Sequence, residues 1–118
     1  MPARADTFKD FVLDQLEHMR DLRVRRMFGS HGLYCGETFF GIISKSRLYF
    51  KTDEKTRWAY LERESRSFRP HPELDLKAYY EVPLEILEDR DQLVQWAKAA
   101  AAVSKSAGRR KAKSGQKR

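Results

Sequence analysis

Three histidines, one cysteine and a short glycine-containing segment are the residues of this chain whose chemistry could exceed packing. His18 falls in a helical pattern, His31 in a turn cluster and His71 in a proline-rich loop, and no two of them have metal-site spacing. His31 and Cys35 stand four apart, which along a strand means one face but a separation of about 13 Å. A zinc site needs three or four protein ligands. Gly29-Ser30-His31-Gly32 lacks the Gly-Lys-Ser/Thr end and the following helix of a phosphate loop. Cys35 has no local nucleophile motif around it, and no Ser-His-Asp order stands out. Asp53-Glu54 and Glu88-Asp89 read as acids at helix starts, where they complement the dipole, in preference to general acid/base pairs. The chain is expected to be neither an enzyme nor a holder of a metal or cofactor.

Charge is the other chemical resource. The 118 residues carry 24 Lys+Arg against 17 Asp+Glu, a net charge of +7. Seven of those cations lie past Val103: Lys105, Arg109, Arg110, Lys111, Lys113, Lys117 and Arg118. No acid lies among them, so the rest of the chain is neutral at 17 basic and 17 acidic residues. The pI near 9.7 therefore describes a terminus, not a folded surface. Seven uncompensated cations attract phosphates without regard to sequence. With no aromatic residue among them, base recognition is not expected there. A solubilising terminus is the equally weighted alternative. Within the neutral part, Arg23, Arg25 and Arg26 form a basic cluster. With Lys45, Arg47 and Lys51 they would border a sheet, as ordinary edge protection.

The elements that must position these groups follow from periodicity. Phe8, Phe11, Val12, Leu16 and Met19 make one helical face, which predicts a helix over about Thr7–Arg20 capped by Asp6. Strand patterns follow at Leu22–Phe28, Leu33–Cys35, Thr38–Ser44 and Arg47–Lys51, separated by short turns that permit only an antiparallel meander. Thr38–Ser44 is apolar on both faces and reads as a central strand, with Gly41 marking a bulge or a close approach. A helix is predicted over Asp53–Arg63, with Trp58 and Leu61 as its apolar face. Pro70 and Pro72 exclude a helix near Phe68, which suits a short edge strand. Leu76–Val82 returns to strand character. Asp89 and Gln92 resemble a capping box, and Leu93, Trp96, Ala97 and Ala100 form the stripe of a last helix. This is an α+β domain over 1–103, followed by a basic tail over 104–118 whose composition cannot order itself.

The ordered segments resemble one bacterial family. Arg26-Met27-Phe28-Gly29 followed by Gly32-Leu33-Tyr34 is similar to the signature of the TfoX/Sxy competence regulators, in their amino-terminal domain. Phe39-Phe40-Gly41-Ile42-Ile43, Leu48-Tyr49-Phe50-Lys51, Tyr79-Tyr80-Glu81-Val82-Pro83 and Leu87-Glu88-Asp89 continue the likeness, from about Phe8 to Val103. Ser30-His31 depart from the small residues usual there. The resemblance is to the amino-terminal domain standing alone, without the helix-rich carboxy-terminal domain of longer members. It implies helices packed on one curved antiparallel sheet, as in secretion chaperones. It also implies transcriptional co-regulation of DNA uptake, alongside the cyclic-AMP receptor protein in the best-known members. The motif residues Met27, Phe28, Gly29, Gly32, Leu33 and Tyr34 read as mainly structural.

The expected function is thus a non-enzymatic interaction domain, a competence or transcription co-regulator acting through protein contacts. The alternatives are an accessory nucleic-acid binder using the tail, and a small-ligand binder. Tyr34, Tyr49, Tyr79 and Tyr80 cannot all be interior, so an outer sheet face is expected to meet a protein partner or a second copy as a homodimer. No apolar run is long enough to cross a bilayer. Met1–Asp6 lacks the apolar stretch of a secretory signal, and one cysteine allows no internal disulfide, so a cytoplasmic location is expected.

Overall fold

The computed structural model describes residues 3–27 and 29–116. The alternating segments become β1 (Leu22–Met27), β2 (Ser30–Cys35), β3 (Thr38–Ser44) and β4 (Arg47–Lys51). Each pairs antiparallel with the next, as short turns require. Ser30, His31 and Gly32 belong to β2, not to the turn expected there, because Met27 pairs directly with Ser30. After α2 (Glu54–Glu62), the strands β5 (Ser67–His71) and β6 (Leu74–Glu81) form a further antiparallel pair. β6 joins β4, so the open six-stranded sheet runs β1-β2-β3-β4-β6-β5. The fold is α+β, with β3 inside the sheet and the proline-bearing β5 at its edge.

The first helix, α1, spans Ala3–Gln15, so Asp6 lies inside it and does not cap it. It stops short of Arg20 because the chain must reverse into β1. Glu17 and Met19 donate to the carbonyls of Asp14 and Leu16, three residues back, and Asp21 takes φ 58°. Leu16 and Met19 stay buried in this tightened turn, whereas Phe11 is 40% exposed and is not core. A short helix, α3 (Leu84–Leu87), follows Pro83 and was not legible as a period. The last helix, α4, runs Arg90–Gln116, past Val103 where composition places the domain boundary.

Helices and sheet meet through one face of the strands. Val12 and Leu16 of the first helical segment and Leu93, Ala97 and Ala100 of α4 close over Leu33, Phe40, Ile43, Leu48 and Phe50. Gln15 is buried, and its Nε2 donates to the Leu87 carbonyl at 3.0 Å, tying α1 to α3. Arg90 reaches Asp14 at 3.2 Å and Glu17 at 3.5 Å, which anchors the start of α4 to α1.

The start of α2 is built as expected. The Asp53 carboxylate accepts from the Lys55 and Thr56 amides at 3.0 and 2.8 Å, and Thr56 Oγ1 accepts from the Asp53 amide at 3.0 Å. The Thr56 amide bond, foremost, holds the Asp53 carboxyl below the usual carboxylate range. Asp53→Ala is expected to cost about 1 kcal/mol at neutral pH, as for other caps. Because the folded group titrates below its unfolded value, this contribution is whole above about pH 4 and lost as pH falls through the folded pKa. Urea unfolding of both proteins at pH 7 and at pH 3 checks this, and a gap that widens in acid would contradict it.

Candidate interaction surfaces

Directly opposed residues of antiparallel strands share a face. Arg23 faces Tyr34, Tyr34 faces Phe39, Arg25 faces Gly32 and Gly32 faces Ile42. Ile42 faces Tyr49, Tyr49 faces Glu81 and Lys51 faces Tyr79. These residues form the outer face of the sheet, opposite the helices, and Tyr34, Phe39, Tyr49 and Tyr79 stand outside the core cluster. They are not isolated. Ring centroids of Tyr34 and Phe39 are 5.2 Å apart, those of Phe39 and Tyr79 5.7 Å, and those of Tyr49 and Phe68 4.6 Å. All are half-buried except Phe68, which is more deeply covered.

A bulge in β3 sets the register of this row. Leu33 pairs with Gly41 but Tyr34 pairs with Phe39, so Phe40 is the extra residue. Phe40 turns inward against Phe50 while Phe39 turns outward between Tyr34 and Tyr79. Under the row, a Cβ on Gly32 would come within 2.7 Å of Met27 Sδ and 3.0 Å of Phe39 Cε1, so glycine lets Met27 and Phe39 close over the backbone. Burial, with a smaller contribution from Tyr34, pushes the Tyr79 phenol up to about 12. Burial first, and then Glu81, also raises Tyr49, with Arg47 opposing.

Cations rim this face. The Arg25 guanidinium lies 5.4 Å from the Tyr34 ring centroid and Lys51 Nζ 5.3 Å from that of Tyr79. Arg23 and Arg25 share the face, as alternation predicts. Arg47 is engaged with Glu81 at 3.0 Å.

The described family-motif residues fall into three places. Leu33 enters the core, while Met27, Gly32 and Tyr34 belong to the outer face and Gly29 closes the β1–β2 turn. Phe28 lies outside the described residues. Of the tail residues, Lys105 borders a groove. The side chains of Arg109, Arg110, Lys111 and Lys113, and the whole of Lys117 and Arg118, lie outside what the structure describes.

That groove, of about 420 Å³, runs between the α1–β1 connection, the β2–β3 hairpin and α4. Arg20, Lys98 and Lys105 contribute its charge, His18 borders it, and Cys35 lies in its wall, donating its thiol to the Arg20 carbonyl at 3.6 Å. The fold thus brings Cys35 toward His18, not His31. Among the described residues no group of three or more His, Cys, Asp or Glu could hold a metal ion. No helix there is long and apolar enough to cross a membrane.

A second exposed surface overturns the expected apolar face of α2. Tyr60 is the buried residue, its ring 4.8 Å from Trp96 and 6.1 Å from Tyr80. Burial raises its phenol pKa strongly. Docking through Tyr60 turns Trp58 and Leu61 outward at 65% and 52% exposure. Arg63, which caps α2, bonds Glu85 at 2.9 Å and so brings α3 alongside, where Leu84 is 66% exposed. The signal for this was present in Tyr60 itself, which offers the largest apolar body on the opposite side of α2.

No curated protein matches the chain significantly. A family model described as the TfoX N-terminal domain matches residues 14–104, which takes in the whole sheet, α2, α3 and the buried part of α4. With most of its length and all of its six strands inside that match, the chain belongs to the TfoX N-terminal domain family.

Proposed function

We propose that this chain is a non-enzymatic interaction domain that serves transcriptional regulation of DNA uptake through contact with a protein partner. The family is consistent with a competence-related role. The observation that carries the reading is the exposed apolar surface of α2 and α3, centred on Trp58 at 65% exposure. Tryptophan is among the residues that most often dominate protein interfaces. Trp58 and Leu61 stand three apart on α2 and so present one contiguous face. The domain acts in the cytoplasm and needs no cofactor in this reading.

The test uses the full chain as bait in a bacterial lysate, beside a Trp58→Ala, Leu61→Ala variant. Both positions are exposed, so folding stability should change little, by about 0.5 kcal/mol or less per substitution. The expected result is retention of a transcription regulator or polymerase subunit by the wild type and its loss by the variant. Truncating an interface hot spot costs about 2 kcal/mol or more. Equal recovery by both proteins would remove α2 as the contact surface. Recovery of no transcription-related protein would count against the reading as a whole.

A further inference from the structure

The geometry points to a second binding surface: we propose that the outer face of the sheet takes single-stranded nucleic acid across the row Tyr34, Phe39 and Tyr79. This surface lies on the side of the sheet opposite the helices, so the inference does not rest on the role given to Trp58. Three rings stand in sequence across β2, β3 and β6, with neighbouring centroids 5.2 and 5.7 Å apart. Each is half-buried. Four-stranded sheets that bind single strands stack roughly two or three bases on such aromatics.

Cations accompany the row, from β1 beside Tyr34 and from β4 beside Tyr79. Arg25 lies over Tyr34, with Arg23 beside it on the same face, and Lys51 lies over Tyr79. Among the described residues none of the three has an acidic partner within ion-pair distance. Aromatic surface interleaved with cations complements a strand in which bases alternate with phosphates. A second copy of this chain is the poorer fit. A two-fold contact through this face would bring its own unpaired cations together. A duplex fits poorly as well, since its bases are already stacked and offer no faces to the rings.

Fluorescence anisotropy of the full chain with labelled dT12, U12 and a 12-base-pair duplex, at 50 and 200 mM salt, tests the proposal. The expected result is tighter binding to both single strands than to the duplex. Phe39→Leu and Tyr34→Leu should each weaken single-strand binding by about five- to 150-fold, the value of one stacked base. Arg23→Gln with Arg25→Gln should lower the log–log salt slope by about 1.4, for two phosphates of a single strand. Because the terminal cations also attract nucleic acid, photocrosslinking of a 4-thiouridine 12-mer locates the contact. Crosslinks to the β2 and β3 peptides are expected, and this measurement needs no variant to fold.

Crosslinks confined to residues past Val103 would overturn the proposal, as would equal affinity for single strand and duplex that the Phe39 and Tyr34 variants leave unchanged. Absence of single-strand binding would also overturn it. So would a solution dimer that the same variants dissociate. None of these outcomes bears on recovery of a protein partner through Trp58, so the two readings fail separately.

Discussion

Phe40→Ala is expected to remove about 3–5 kcal/mol of folding stability, the usual cost of deleting a buried phenylalanine. The ring is fully buried and packs at 5.7 Å from Phe50, which is also fully buried. Both lie where α4 crosses β3 and β4, among Leu33, Leu48, Leu93 and Ala97. Rigid strands on one side and a helix on the other leave little room for collapse, so the void would persist. Domains of this size hold only about 5–15 kcal/mol in total, so the variant should sit near the edge of folding. Urea unfolding should show a lower midpoint with an unchanged slope. A loss under about 1 kcal/mol, the range of ordinary surface changes and mild substitutions, would mean that the bulge does not deliver Phe40 to the core.

Gly41→Val should follow at about 1–3 kcal/mol, by overpacking in place of a void. The β3 bulge puts residues 40 and 41 on the same side of the sheet, a crowding that normal alternation avoids. Glycine resolves it by having no side chain. A Cβ there would stand 3.1 Å from Phe50 Cδ1, 3.1 Å from the Tyr49 carbonyl oxygen and 3.3 Å from Leu33 Cδ1. The carbonyl belongs to the β3–β4 pairing and cannot swing away, and Phe50 is enclosed. Valine would therefore force β4 or the Phe50 ring to shift. Urea unfolding measures the cost, and near-ultraviolet circular dichroism should report altered aromatic packing. Wild-type stability in this variant would show that the sheet has slack at the bulge.

The two substitutions probe the same device from opposite sides. Without the bulge, Phe39 and Phe40 would still face opposite ways, but Gly41 would follow Phe39 to the outer face. The inner site opposite Leu33 would then fall to a side chain that must share it with Phe50. The bulge is thus what places a glycine beside Phe40 on the inner side and leaves room there for the Phe50 ring. The Asp53 cap and the exposed Trp58 test other parts of the molecule, the entry to α2 and its partner face.

Much of this architecture could be read from local pattern. The strands β1, β3 and β4, the Asp53 cap, the edge position of Phe68 and the apolar stripe of α4 all follow from alternation, helical spacing and turn chemistry. These are near-neighbour effects, so a single stretch of chain contains the whole cause. The likeness at Met27, Gly29 and Gly32-Leu33-Tyr34 likewise pointed to the family that the match over 14–104 shows.

Three features were beyond local pattern, each because it depends on a residue far away in the chain. The extent of α1 is set by the need to turn at Asp21 and feed β1, whose place depends on Gly36 donating to the Asp21 carbonyl at 2.8 Å. The face of α2 is chosen by Trp96 and Tyr80, which receive Tyr60 and leave Trp58 in solvent. The chemistry of His31 and Cys35, the residues that first invited a functional reading, is decided by pairing: His31 opposes Ile43 and Cys35 opposes Thr38 at the other end of β2. Cys35 meets the groove of His18 instead. Residue types alone listed the reactive side chains and the aromatics. Strand register, a long-range property of hydrogen-bonded backbone, set His31 and Cys35 against different neighbours and gathered Tyr34, Phe39 and Tyr79 into one row.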